Sequence, residues 1–233
     1  MILQDHHILY EDNHLLAINK PAGILVQGDE TGDIPLSELA KEYIKNKYQK
    51  PSNVFMGVVH RLDRPVSGVV VLAKTSKALA RMNELFRSNQ TQKTYLALSQ
   101  RRPPRQQDRL VHWLVKDEAR NITKAFAKEN NKGSRSELSY TLLAQEQEYY
   151  LLQVNPVTGR SHQIRVQLAS QGCPITGDLK YGAAMPLPDK SIALHAYRLA
   201  FVHPVLKTPL QITALPPAVA PWPIFKNQIA LLA

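Results

Sequence analysis

The sequence predicts an α+β fold: a mixed, largely antiparallel central sheet with flanking helices. Short β-branched runs bounded by Gly, Pro, Asn and Asp recur along the chain, and they alternate with helical stretches without the regular βαβα rhythm of a doubly wound parallel sheet. With 44% hydrophobic residues in 233 and no long low-complexity tract, the chain can bury a sizeable core. No internal repeat and no glycine/serine linker divides it, so residues 1–233 are expected to form one domain.

Each element has its own signal. Residues 8–18, ILYEDNHLLAI, predict two short strands around an Asp-Asn turn, and NKPAG at 19–23 predicts a loop because Pro and Gly punctuate it. Leu36, Leu39, Ala40, Tyr43 and Ile44 recur at helical spacing between Pro35 and Tyr48, the pattern of one amphipathic helix. GVVVLAK, residues 68–74, is short and β-branched, as a buried strand is. Ser76 then reads as the N-cap of a helix whose Leu79, Met82, Leu85 and Phe86 share one face and pack back on the sheet. KTYLALS starts a strand at Lys93.

The stretch from Arg101 to Arg135 contains RRPPR and KENNKGSR, both rich in turn formers, and is expected to be a loop or hairpin excursion. ELSYTLLAQE and EYYLLQVNP predict paired strands joined by a polar turn, and GRSHQIRVQLASQG predicts a helix ended by Gly172. ALHAYRLAFVHP and TPLQITALPP return to strands.

Charge narrows the partner. The net charge is +10 with a pI near 9.7, which favours a polyanion. Residues 101–135 carry ten Lys/Arg against Asp108, Asp117, Glu118 and Glu129. Arg102, Arg105, Arg109, Lys124 and Lys128 of this segment are candidate phosphate contacts for such a polyanion, a nucleic acid or an anionic membrane face; by itself such a run also suits a solvated hairpin face. Trp113 and Phe126 lie within it without regular aromatic interleaving, so sequence-blind stacking of a single strand is not indicated.

No apolar run approaches a membrane span and the first residues lack a basic-then-apolar leader, so a soluble, cytoplasmic protein with no membrane partner is expected. Cys173 is the single cysteine, read as a small core residue, and the eight histidines lack ligand spacing, so no metal is expected. The chain lacks a Gly-rich phosphate loop ending in Lys and Ser/Thr, a G-x-G-x-x-G, an H-E-x-x-H and a G-x-S-x-G. Nucleotide cofactors and simple hydrolase schemes lose their usual supports.

A carboxylate and arginines remain. Asp63 lies where Pro65 and Gly68 impose a turn before a buried strand, a place where a side chain can be held rigidly at a cleft. Flanked by Arg61 and Arg64, it also suits a turn cap or a surface ion pair. NPVTGRSHQIRVQLASQG sets Arg160, His162, Gln163 and Arg165 at the start of the predicted helix, from which Arg165 could reach Asp63. An arginine beside a half-buried carboxylate favours the ionised form that a nucleophile or base needs.

NKPAG, HRLDRPVSGVVVLAK, KTYLA, PVTGRSHQIRVQLASQGCPITGDLKYG and LHAYRLAFVHP, taken together and in this order, resemble the RluA-type RNA pseudouridine synthases. The blocks run from Asn19 to Pro204 and so cover most of the chain. The resemblance implies the pseudouridine synthase catalytic fold and an isomerase that breaks the N-glycosidic bond of a uridine in structured tRNA or large-subunit rRNA, turns the base and rejoins it through carbon 5. It implies Asp63 as the catalytic residue. Attack on ribose carbon 1, attack on the uracil ring and removal of a proton from ribose carbon 2 all stay open, the last being favoured.

It also implies Arg61 filling the space of the flipped uridine, Tyr95 stacking on the uracil with its hydroxyl serving in proton transfer from carbon 5, and Arg165 pairing with Asp63. His60, Arg64, Arg160, His162 and Gln163 are the remaining substrate-binding candidates, and Lys20 with Pro21 is read as shaping a nearby loop. Val66 stands where the family commonly has Thr, and Gln167 where it commonly has His. Many relatives carry a small N-terminal RNA-binding domain; with NKPAG at residue 19, none is expected here and the catalytic domain is expected to bind RNA unaided. The isomerisation requires no cofactor, and monomer is the default. The alternative is a non-catalytic RNA-binding or RNA-folding module, which explains the charge but does not require Asp63, Tyr95 and Arg165 together. A small-nucleotide hydrolase would need a water-activating group that the sequence lacks.

Overall fold

In the computed structural model, which describes residues 2–232, eleven strands and four α-helices follow in chain order. They are β1 (Ile8–Glu11), β2 (Leu15–Lys20), α1 (Leu36–Lys47), β3 (Gly57–Val58), β4 (Ser67–Ala73), α2 (Ser76–Arg87), β5 (Gln92–Ser99), β6 (Gln107–Asp117), β7 (Ile122–Phe126), β8 (Ser134–Glu146), β9 (Tyr149–Pro156), α3 (Gln163–Ser170), β10 (Leu194–Val202), β11 (Pro209–Thr213) and α4 (Lys226–Ala230). The class is α+β with largely antiparallel strands, as the sequence predicts. The chain divides into two compact units, residues 2–92 with 196–215 and residues 93–195 with 216–232. Among the described residues no helix is long and apolar enough to cross a membrane.

In the first unit, β2 lies antiparallel between β1 and β4, with Leu15 opposite Ala73 and Lys20 opposite Gly68. β3 pairs with the far end of β4, and β10 pairs antiparallel with β11. All seven residues of β4 are buried, as its unbroken apolar run predicts. Leu15, Ala17, Val69, Val71 and Ala73 meet Ala78 and Met82 of α2 and Leu199, Phe201, Ile212 and Ala214 in one cluster. Two boundaries differ from the sequence expectation. Thr75, not Ser76, caps α2: its backbone is extended and its Oγ1 accepts from the Ala78 amide at 3.1 Å, while Ser76 is already helical. Asn19 and Lys20 still belong to β2, and the loop begins at Pro21, which has no amide to offer a ladder.

In the second unit the strand order is β5-β9-β8-β6-β7, each neighbour antiparallel. The basic segment forms a hairpin, β6–β7, and β6 sits inside this sheet because its other edge pairs with β8 from Gln107↔Thr141 to Leu114↔Ser134. Leu110, His112 and Leu114 turn their buried side to α3, whose Gln167 Nε2 donates to the Leu110 carbonyl and lies 3.0 Å from His112 Nδ1. Cys173 is fully buried, as expected, and burial pushes its thiol up to about 11.

Candidate active site

The first unit holds the Asp63 loop between β3 and β4. Leu62 and Val66 are buried, while Arg61 is exposed and Asp63 half-buried between them. The Val66 amide donates to the Asp63 carbonyl at 3.0 Å, closing the turn that Pro65 predisposes. Gly68 has φ +117°, and a Cβ there would stand 2.3 Å from the Ala196 carbonyl oxygen. Only glycine lets β10 approach so closely at the start of β4. The glycine after the charged cluster is therefore a packing requirement of the strand that anchors the loop.

A second loop is tied to the first. Gly23 N donates to the Arg64 carbonyl at 2.8 Å, Arg64 Nε donates to the Gly23 carbonyl at 3.0 Å, and Arg64 Nη2 pairs with Asp33 Oδ2 at 2.6 Å. Lys20 is wholly buried, and its Nζ donates to the carbonyls of Pro21, Ile24 and Arg64 at 3.0, 2.8 and 3.3 Å. Three acceptors match the three donors of an ammonium. Burial pulls its pKa down to about 7, while the charge of Asp63 pushes it up and that of Arg64 adds to the lowering. The sequence assigns Lys20 a loop-shaping part; its burial beneath the Asp63 loop leaves no mark in composition or periodicity. His60 accepts from the Val71 amide at 3.0 Å through Nε2 and stacks on Phe86 with ring centroids 4.9 Å apart. This fixes the loop to β4 and α2.

In the second unit, Tyr95 lies half-buried on β5 opposite Val154 of β9. The α3 helix starts at Gln163, later than expected. His162 takes a left-handed conformation, φ +56°, so Arg160 precedes the helix on an exposed loop instead of sharing its face. Gln163 is buried: its Oε1 accepts from Thr158 Oγ1 and the Arg160 amide, and its Nε2 donates to the Glu137 carbonyl. These bonds hold the loop that carries Arg160.

Arg165 is buried and makes a bidentate pair with Asp178, Nε to Oδ2 at 2.7 Å and Nη2 to Oδ1 at 2.9 Å. Its guanidinium also stands 5.1 Å from the centre of the Tyr181 ring. The Tyr181 hydroxyl lies 2.7 Å from His162 Nδ1 and accepts from the Thr123 amide of β7 at 2.9 Å, and burial raises its pKa. Asp178 and Tyr181 form a scaffold behind Arg165 that charge and spacing do not reveal, although both stand in the GDLKYG segment. Among the described residues no group of three or more His, Cys, Asp or Glu could hold a metal ion.

The basic side chains of the hairpin segment face solvent. Arg102, Lys124 and Lys128 are exposed, Arg105 pairs with Asp108 at 3.3 Å, and Arg109 with Arg135 brackets Glu137 at 2.6 and 2.9 Å. Burial pushes the Glu137 carboxyl up, but the two guanidiniums outweigh it and hold its pKa below the ordinary value.

Similar proteins share both sequence and fold. The chain is 34% identical over 226 residues to the "Ribosomal large subunit pseudouridine synthase C" of Vibrio cholerae serotype O1, covering 90% of this chain and 65% of that protein. It is 34% identical over 220 residues to the protein of the same name in Buchnera aphidicola subsp. Acyrthosiphon pisum, covering 89% and 68%. The chain thus spans about two-thirds of the length of these relatives. The solved structure "Human RNA Pseudouridylate Synthase Domain Containing 4" matches with a TM-score of 0.76 at 25% identity, over 91% of this chain and 89% of that one. The RNA pseudouridylate synthase family matches residues 14–170, a span that contains Asp63, Tyr95 and Arg165. This chain belongs to the RNA pseudouridylate synthase family.

Proposed function

We propose that the chain acts as one catalytic domain that isomerises a specific uridine of large-subunit ribosomal RNA to pseudouridine, in the cytoplasm and as a monomer. The observation that carries this reading is the family match across residues 14–170, supported by the relatives whose names specify the large ribosomal subunit. In the reaction the bond from ribose carbon 1 to N1 of uracil breaks, the base turns, carbon 5 bonds to ribose carbon 1, and the proton on carbon 5 leaves while N1 gains one. No net oxidation occurs.

Asp63 is the catalytic residue, and its loop suits that role, because the turn closed by Val66, the buried Leu62 and the carbonyl clasp of Lys20 restrict where the carboxylate can point. Arg61, exposed on the same loop, fills the gap left by the extruded base. Tyr95 stacks on the uracil and takes part in the late proton transfer, and Arg165 contributes a positive charge to the reaction. His60, Arg64, Arg160, His162 and Gln163 shape the loops that receive the nucleotide. Arg102, Arg105, Arg109, Lys124 and Lys128 hold phosphates of the surrounding RNA.

The test is carbodiimide mapping of pseudouridine in ribosomal and transfer RNA from cells lacking this protein, re-supplied with wild type or Asp63→Ala. One large-subunit site is expected to vanish and to return only with wild type. A site restored equally by Asp63→Ala would remove the catalytic assignment, and a missing site in tRNA would move the substrate.

A further inference from the structure

The α3 helix covers one side of β6 and leaves the other open. Along β6 the buried residues Leu110, His112 and Leu114 alternate with Arg109, Val111, Trp113 and Val115, all exposed or half-exposed. Directly opposite residues of antiparallel strands share a face. Trp113 stands opposite Phe126 of β7 and opposite Arg135 of β8, and Val115 stands opposite Lys124. The open face therefore carries a row Arg135, Trp113, Phe126 with Lys124 beside it. Phe126 is 40% exposed, and a Cβ on Gly133 would lie 2.9 Å from that of Trp113, so glycine lets the β7–β8 connection pass the indole without a side chain.

The electrostatics of this face suit an anion. Its buried acid, Glu137, is bracketed by Arg109 and Arg135, whose side chains remain 67% and 54% exposed. Lys128 and Lys132 flank the face in the connection beside Glu129, and Asp117 is occupied with the Arg120 amide at the hairpin turn. Two aromatic rings within a cationic field match a base between phosphates better than they match an apolar protein surface, because stacking requires only a π-face and the phosphates require the cations. Trp113 and Phe126 stand on opposite strands of the hairpin, and its register sets them side by side.

We propose that this open face of the β6–β7 hairpin is an additional RNA-contact surface, where an unpaired base stacks on Trp113 and Phe126 while Lys124 and Arg135 hold the adjoining phosphates. The proposal rests on the reading that the chain acts on RNA, and it adds a site for a single-stranded segment.

The test uses the full chain and a short oligocytidylate, which contains no uridine and cannot be isomerised. Trp113 and the buried Trp222 are the only tryptophans, so quenching of indole fluorescence reports a base on Trp113. Oligocytidylate is expected to quench and inorganic polyphosphate to bind without quenching. Phe126→Ala, at an exposed ring, is expected to weaken oligocytidylate about tenfold, the scale of one lost stacking contact, while leaving polyphosphate affinity unchanged. Trp113→Phe should abolish the quench and keep most of the affinity. Equal oligocytidylate affinity in wild type and Phe126→Ala, with no quench, overturns the proposal. So does a Phe126→Ala effect confined to sedimentation, which would make the face a contact between copies of the chain. Quenching by oligocytidylate in a protein that isomerises no ribosomal uridine would leave this surface standing and remove the proposed reaction; isomerisation with no quench would do the reverse.

Discussion

Removing the carboxylate of Asp178 probes the scaffold behind Arg165. The two side chains are 1% and 6% exposed and share two hydrogen bonds of 2.7 and 2.9 Å in the fork geometry of arginine and carboxylate. Breaking a buried pair from one side commonly costs about 3–5 kcal/mol, because a desolvated charge is stripped of one of its compensating groups. In a chain of 233 residues each kcal/mol shifts Tm by about 2–4 °C, so Asp178→Ala should melt roughly 10 °C lower than wild type. Asp178→Asn keeps one oxygen for the guanidinium and should recover about 2 kcal/mol of that loss. The double variant Arg165→Met, Asp178→Leu removes both charges and should return to within about 2 kcal/mol of wild type. Urea unfolding at pH 7 measures the stabilities, and pseudouridine formation measures activity; the double variant is expected to be folded and inactive. A loss below about 1 kcal/mol in Asp178→Ala, or a double variant as unstable as the single one, would refute the assignment of this pair as the support of Arg165.

Two further predictions concern the Asp63 loop. Gly68→Ala places a methyl 2.3 Å from the Ala196 oxygen at φ +117°, and is expected to cost more than about 3 kcal/mol in thermal unfolding; a neutral effect would contradict the close approach of the two strands. For Lys20, the folded pKa of about 7 lies below the ordinary 10.5, so between those values the unfolded chain binds more protons and stability rises with pH. The destabilising burial of the charge is complete below about pH 7 and is relieved as pH rises, by at most about 1.4 kcal/mol per unit. Denaturant midpoints between pH 7 and 9 should therefore climb more steeply in wild type than in Lys20→Met; parallel profiles would show that the ammonium stays charged throughout, held by its three carbonyls.

Much of the fold is legible from local pattern. The β4 run and the faces of α1 and α2 follow from side-chain period alone, because burial on one face writes itself into the sequence. Boundaries set by single hydrogen bonds are less legible: Thr75 and Ser76 are both competent caps, and only the Thr75 Oγ1 bond to Ala78 decides between them. The left-handed His162 likewise depends on the bonds around it, and it moved Arg160 off the helix.

By itself, the sequence determined the class of the fold, the excess of positive charge and, through its ordered motifs, Asp63, Tyr95 and Arg165 as the residues to watch. Those depend on residue type and on near neighbours. Tertiary structure alone decided that Asp178 meets Arg165, that Lys20 lies buried beneath the Asp63 loop, and that Trp113, Phe126 and Arg135 share one open face. Each is a contact that local side-chain period does not encode, fixed by strand register and by the burial of groups that must find partners once water is excluded.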